Sequence, residues 1–306
     1  MANITAKDVA ALRAKTGIGM MECKKALVEA NGDIDAAVKI LREKGELKAE
    51  SKMATRIAAD GIVDILKEGN KTAIIEVNTE TDFVAKNETF KAFVKNLLKC
   101  IIDTKPADVE ALLASEYEGT TVDAKLKELI FQIGEKITVR RFSIVEGITS
   151  TYIHGMGSIG VIVSFDTDCA DNEGFAEFAK NIALQVGAYP TPYLNKESVP
   201  ASVIEEEKKI LMSQIANDPK MANKPEKVLE GIVMGKIGKF YDNNCLIEME
   251  YVKSDDHEKV GKYVEKTAKE FGGKIAVTGF VRFEKGEGIQ KREENFADEI
   301  AKLTNK

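Results

Sequence analysis

Apolar residues recur at three- and four-residue steps through the first 45 positions, broken twice by glycine. Val9 and Leu12 follow Thr5, a residue type that caps helices, and Gly17 supplies a stop. Met20, Cys23 and Leu27 fall on one stripe of a second segment, which Asn31-Gly32 ends. Asp33 is placed to cap a third, whose Ile34, Val38 and Leu41 point one way. The pattern predicts a three-helix module over 1–45. A charged, alanine-containing stretch at 46–59 predicts a linker helix from it to the rest of the chain.

The period changes at Asp60-Gly61. Ile62, Val63, Ile65 and Leu66, then Thr72 to Val77, predict two strands around a Gly69-Asn70 turn. Phe90, Phe93, Val94, Leu97, Leu98 and Ile101 form the cleanest helical stripe in the chain. Helices at 106–113 and 122–133 and a strand at 138–145 complete a first α+β part, 60–147. A second part takes in 148–195 and 241–290, with a hairpin at 152–165, a helix at 174–186, a strand at 246–252, a helix at 259–271 and a strand at 275–283. Between its halves, 196–240 predicts an antiparallel helical hairpin, a short coiled coil with Ile204, Leu211 and Ile215 facing Leu229, Val233 and Ile237. Gly231, Gly235 and Gly238 are expected to let the two arms approach closely. A last short helix is expected within 291–306. The fold class is therefore α+β: a three-helix module, then a two-part core from which a helical hairpin protrudes.

Composition narrows the function. In 306 residues, 44% hydrophobic and 31% charged is the balance of a globular chain, and no apolar run approaches the roughly 20 residues of a membrane span. Cys23, Cys100, Cys169 and Cys245 are scattered, which reads as reduced thiols in the cytoplasm. The net charge of −6, with basic pairs matched by nearby acids, argues against direct nucleic-acid binding. His154 and His257 cannot build a metal site with cysteines so placed. The reading assigns no catalytic residue, no metal and no cofactor.

One motif tests that reading. Gly155-Met156-Gly157-Ser158-Ile159-Gly160 matches the dinucleotide fingerprint letter by letter, but the fingerprint needs a helix to start after it. Val161-Ile162-Val163-Ser164-Phe165 is strongly β-forming, so a glycine-rich hairpin turn is the better expectation. The Gly231 to Lys236 segment fails the other phosphate signature on glycine spacing, with Ile237 where a hydroxyl must stand.

The segment Glu76-Val77-Asn78-Thr79-Glu80-Thr81-Asp82-Phe83-Val84-Ala85-Lys86-Asn87 carries more information. Thr81 suits an N-cap and Asp82 the first helical turn, where an acid complements the dipole. Phe83 lies seven residues before Phe90 and extends that stripe to an exposed helix tip; by pattern alone it would finish the core. The segment closely resembles the signature of the elongation factor Ts family. Thr16 to Leu27 and Glu29 to Asp33 look like that family's N-terminal module, of ubiquitin-associated type. His154-Gly155 with Ile159-Gly160-Val161 is similar to its central hairpin, and Phe280 to Ile289 to its C-terminal signature. The resemblance covers about 1–300. Departures are Thr79, often cysteine in the family, Leu184-Gln185 in place of a Met-His pair, and Met156 in the hairpin.

The resemblance implies a guanine-nucleotide exchange factor whose partner is the GTPase elongation factor Tu. It implies that Phe83 is a wedge near the partner's magnesium and switch region, with Asp82 a polar contact beside it. Thr81 and Val84 would then be the helix start that fixes both. His154 would be a second intruding side chain, and Met20 and Lys24 would dock the N-terminal module; the alternative is that Met20 and Met21 pack inside it. Self-association through the helical hairpin is left open, as is an adaptor role in which the module binds a partner and the hairpin oligomerises.

Overall fold

The computed structural model describes residues 4–217 and 225–290, with the backbone alone for 46–55. The Thr5 hydroxyl accepts from the Asp8 N–H and the Asp8 carboxylate accepts from the Thr5 N–H, a reciprocal cap that starts α1 (Ala6–Thr16). Gly17, at φ 70°, closes it. Then come α2 (Met20–Glu29) and α3 (Ile34–Thr55), the latter capped by Asp33. Val9, Leu12, Ile18, Cys23, Leu27 and Leu41 form the module's interior. The third helix continues into the stretch expected as a linker helix: α3 runs unbroken for 22 residues and ends at Thr55. Its only helix breaker, Gly45, is used for packing, since a Cβ there would lie 3.2 Å from the Phe131 ring.

The first part of the core opens with β1 (Asp60–Glu68) and β2 (Lys71–Thr79) around the Gly69-Asn70 turn. It continues through α4 (Asp82–Ala85), α5 (Glu88–Thr104), α6 (Val109–Ala114), the two-residue ladder of β3 (Glu116–Tyr117) with β4 (Thr120–Thr121), α7 (Val122–Ile133) and β5 (Ile137–Glu146). Helix α6 is shorter than predicted because Asp108 is its cap, accepting from the Ala111 N–H. The second part runs β6 (Ile148–His154), β7 (Ile159–Thr167), α8 (Phe175–Ala188), α9 (Ala201–Ala216), α10 (Glu226–Asn244), α11 (Val260–Phe271) and β8 (Ile275–Glu284).

Leu246 to Val252 is not the strand that its apolar content predicts. It is a single 3-10 turn, Leu246–Glu248, followed by one isolated bridge from Glu250 to Lys259. Tyr193 and Leu194 take its first N–H groups, and Leu246 and Tyr251 anchor in the core beside α11. The seam between α9 and α10 buries Leu211, Ile215, Val233 and Ile237, with Ile204 and Leu229 packed on it. The three glycines of α10 play no part in that approach: a Cβ at Gly231, Gly235 or Gly238 would meet nothing described within 4 Å. The helix expected within 291–306 lies outside the described residues.

Two three-stranded antiparallel sheets, β1-β2-β5 and β6-β7-β8, stack face to face, with helices on the outside of each. Alternation along the strands makes this possible. Ala73, Ile75 and Val77 face α5 and α7, while Val161, Val163 and Phe165 face α8 and α11. Ile74 and Ile162 meet Val63 and Phe283 between the sheets. Gly160 permits the contact, since a Cβ there would lie 2.5 Å from Val63 Cγ1. The sheets are also built alike. Each central strand has 9 residues and each third strand 10, and the register slips at the same point of both, after Glu76 and after Ser164. The two parts share one plan without sharing residues.

The first of these bulges has a second use. Consecutive strand residues normally point to opposite faces, but a bulge at Arg140 cancels the alternation. Both Arg140 Nη1 (2.9 Å) and Arg141 Nε (2.6 Å) therefore donate to Glu76, whose side chain is fully buried between the sheets. Asn78 Nδ2 and the Gly286 N–H donate to the same carboxylate. The guanidiniums reach on to the Glu284 and Glu287 carbonyls, and Lys285 pairs with Asp60. This knot fastens the chain after β8 onto the first sheet.

Burial alone would push the Glu76 carboxyl up, but the Gly286 N–H, Arg140, Asn78 and Arg141 together outweigh it and hold it below the usual range. A depressed folded-state value means stability that is present above the ordinary 4.5 and lost as pH falls through the lower value. Glu76→Ala is expected to cost on the order of 3 kcal/mol at neutral pH, measured by urea unfolding. Glu76→Gln should lose less and flatten the acid limb of the stability curve.

Candidate functional site

Strand β2 delivers the chain to the first candidate site. Thr79 is buried and its hydroxyl donates to the Thr81 carbonyl at 2.8 Å. Thr81 occupies the N-cap position of α4 but does not cap it with its side chain. Its hydroxyl instead donates to Glu135 Oε1 at 2.8 Å, and its N–H to Glu135 Oε2 at 3.1 Å. Val84 and Ala85 are buried against the first sheet, so this single turn is anchored on one side. On its other side Phe83 is 79% exposed.

Phe83 is not the tip of the long helix that its spacing from Phe90 predicts. Helix α4 ends at Ala85 and α5 begins anew at Glu88. Between them the exposed Asn87 caps α5, its side-chain oxygen accepting from the Thr89 and Phe90 N–H groups at 2.8 and 3.3 Å. The stripe of α5 starts at Phe90, and Phe83 projects on its own. Asp82 is half-exposed and paired with Lys86, whose ammonium hydrogen-bonds to its carboxyl and holds it below the ordinary carboxylate range. The same ammonium stands 6.0 Å from the Phe83 ring centroid.

The glycine-rich segment is a hairpin turn, and the residues after Gly160 are strand β7, paired on both edges. The helix that a dinucleotide site requires is not there. Gly155, Met156 and Gly157 all have positive φ, at 55°, 55° and 92°. The Gly157 carbonyl accepts from the Val63 N–H at 2.8 Å, pinning the turn to β1. Met156 stands 86% exposed in a conformation that costs a side-chain-bearing residue about 1 kcal/mol.

The α4 turn and this hairpin turn border one groove of about 430 Å³, lined among others by Asp82, Lys86, Lys95, Ile153, Met156 and Lys285. Asp64 also faces it, and burial pushes its carboxyl up. His154 is not part of the lining. Strand alternation puts it opposite Ile153, where its Nδ1 and the Tyr152 hydroxyl share a 2.8 Å hydrogen bond. The structure thus joins Asp82 to the hairpin through Ile153 and Met156, and sets His154 exposed on the other face.

In the N-terminal module Cys23 and Leu27 are interior, whereas Met20 is 47% and Met21 65% exposed. This corrects the alternative in which both methionines pack inside: the first turn of α2 lies beyond the small core. Lys24 follows Met20 by one turn and is exposed, beside a shallow depression lined by Met21, Lys25 and Val28. The module rests on the core through Phe131 and through Gln132 Nε2, which donates to the Thr16 carbonyl at 2.8 Å. Of the departures, Gln185 is fully buried, donating to the Glu250 carbonyl and accepting from the Val252 N–H. It has no surface to offer.

Sequence reasoning missed Glu135, Glu76 and Thr79. The partner of Glu135 lies 54 residues away and the arginine partners of Glu76 64 and 65, so only strand register and loop closure reveal them. For Glu76 the one signal was a charged residue at an inward position of an otherwise buried strand. All four cysteines are free thiols, and among the described residues no group of three His, Cys, Asp or Glu is placed to hold a metal. No helix among them is long and apolar enough to cross a membrane. What the site offers is an exposed aromatic ring, ion pairs that can exchange partners, and rigid backing.

Comparison with known proteins gives this site its setting. A family model described as Elongation factor TS matches residues 80–287. Elongation factor Ts of Syntrophotalea carbinolica is 44% identical over 98% of this chain and 99% of its own length. That of Clostridium tetani is 45% identical over 98% and 99%, and that of Clostridium botulinum strain Alaska E43 is 45% identical over 99% and 100%. The α+β core and its signature turn are those of a translation elongation factor. The chain belongs to the elongation factor Ts family.

The break at Asn87 makes a prediction that separates two helices from one. Asn87→Ala is expected to lower stability by about 1 kcal/mol, because a working cap is lost. In one continuous helix from 82 to 104 alanine would stabilise instead. Thermal unfolding of the two proteins decides.

Proposed function

We propose that the chain is a guanine-nucleotide exchange factor for elongation factor Tu, and that Phe83 is the side chain it inserts near the partner's magnesium and switch region. The observation that carries this reading is an aromatic ring that is 79% exposed on a turn whose next two residues, Val84 and Ala85, are buried. Such a ring adds little to folding, yet its frame is fixed, and rigid aromatic anchors dominate the energetics of protein interfaces. Met156 and Ile153, across the groove, supply further apolar surface on the same approach. Asp82 arrives paired with Lys86, so it can enter an interface without leaving a bare charge and can exchange that partner for one on the GTPase. Thr81 and Val84 hold the turn. Met20 and Lys24 present a separate patch, the lysine chiefly steering encounter. His154 serves as a second contact from the far face of the hairpin.

The mechanism needs no covalent chemistry. Magnesium bridges phosphate and protein in GTPases of this class, and displacing the elements around it weakens the hold on GDP. Reciprocity follows: if this chain weakens nucleotide binding by some factor, nucleotide weakens the chain's binding by the same factor. The exposed methionines of α2 favour a second reading, an adaptor that binds its partner through the module alone. Excess GDP separates the two. It is expected to dissociate this chain from elongation factor Tu in a titration monitored by light scattering, and indifference to GDP would favour the adaptor.

Phe83→Ala is expected to leave stability within about 0.5 kcal/mol of the parent, as for a surface position. Release of a fluorescent GDP analogue from elongation factor Tu, followed by stopped flow, should slow by roughly tenfold or more. Unchanged release would remove Phe83 from the mechanism.

A further inference from the structure

Phe83 does not set its own position. Two residues upstream, Thr81 is held at three atoms: its carbonyl by the Thr79 hydroxyl, and its N–H and hydroxyl by the two oxygens of Glu135. A threonine at this place in a helix would ordinarily turn its hydroxyl onto the first-turn N–H groups. Here that hydroxyl is drawn away, and the turn is oriented by the corner between α7 and β5 instead.

The neighbouring residue repeats the arrangement in reverse. Glu80 accepts from the Lys136 N–H and from Arg56 Nη1, at 3.1 and 3.2 Å for the latter. Lys136 Nζ in turn donates to the Arg56 carbonyl at 2.8 Å. Residues 80–81 and 135–136 thus clasp each other by exchanged carboxylates. Arg56, one residue past the end of α3, ties the clasp to the N-terminal module.

We propose that Glu135 is a positioning residue for nucleotide exchange: its carboxylate fixes Thr81 and so aims the turn that carries Phe83. The inference rests on Phe83 being the inserted side chain. Charge-assisted hydrogen bonds of this kind are among the stronger ones available at a half-exposed site. Without them Thr81 returns its N–H and hydroxyl to water, and the turn keeps the Thr79 bond, the Glu80 half of the clasp and the burial of Val84 and Ala85. A ring displaced by an ångström loses much of what an inserted side chain contributes.

The test is a double-mutant cycle on elongation factor Tu loaded with a fluorescent GDP analogue, the maximal release rate being read at saturating factor. Glu135→Ala is expected to lower that rate roughly tenfold. Glu135→Gln, which keeps one accepting oxygen, should recover part of it. In the Phe83→Ala background Glu135→Ala should cause no further loss, because it acts through a ring no longer present. A general loss of stability would lower the rate in both backgrounds, so additive effects overturn the proposal, as does a Glu135→Ala protein that releases GDP at the parent rate. If Phe83→Ala itself leaves release unchanged, the reading of Phe83 fails and this inference falls with it. Should Glu135→Ala not fold, the same cycle run with Glu135→Gln decides: non-additivity with Phe83→Ala supports the role, and additivity or no effect rejects it.

Discussion

A single buried carboxylate holds the two halves of this molecule in register. Glu76 lies between the stacked sheets, where an unpaired charge would be intolerable, and every donor it uses comes from an element that has to be somewhere in particular. Arg140 and Arg141 reach it together only because β5 is bulged, and the Gly286 N–H reaches it only if the chain leaves β8 in one direction. Apolar contact between the sheets, through Val63, Ile74, Ile162 and Phe283, would tolerate some sliding. The polar knot does not. An interaction that adds modestly to net stability can still decide which of several packings is adopted.

That register has a consequence at the surface. The α4 turn belongs to the first sheet's part of the chain and the 155–158 turn to the second, so the groove between them has a defined width only if the sheets do not shift. Two contacts near the groove enforce the same alignment: the Val63 N–H to the Gly157 carbonyl, and Lys285 to Asp60. At the opposite end the Thr72 and Thr149 hydroxyls bond across the seam at 2.7 Å. The inner face of β2 is therefore polar at both ends and apolar at Ile74 in the middle.

Most elements were legible in the residues because local signals agreed with the fold. Thr5, Gly17 and Asp33 stand where caps and stops belong, and the α5 stripe reads directly. Two of the errors share one cause, which is that periodicity is blind to where the backbone breaks. Phe83 keeps helical phase with Phe90 by arithmetic, but Asn87 resets the chain between them. Leu246 to Val252 is apolar enough for a strand, yet its donors are spent on Tyr193, Leu194 and its own turn. The α10 glycines are a separate miss: spacing suggested a close approach, but a Cβ on any of them would meet nothing described within 4 Å. The candidate site was half legible. The family signature marks Thr81 to Val84, whereas the clasp through Glu80 and Glu135 depends on a corner more than 50 residues distant and leaves no trace in local pattern.

The two candidate tips also differ in what keeps them in place, and the difference bears on how such a surface evolves. Met156 is displayed by backbone geometry: left-handed φ on three successive residues and a carbonyl pinned to β1. Its side chain is free to change, because it stands in solvent and nothing in the fold packs on it. Phe83 is displayed by side chains: Thr79 and Glu135 bond to Thr81, and Glu80 bonds to Arg56 and the Lys136 N–H beside it. A recognition element built in the second way tolerates little substitution around it, because each side chain fixes the next. The rigidity also limits the entropy lost when the ring is buried against another protein. On the reading proposed for Phe83, a ring inserted into a partner gains more from being aimed beforehand than from being sticky, and the hydrogen bonds around Thr81 would supply that aim.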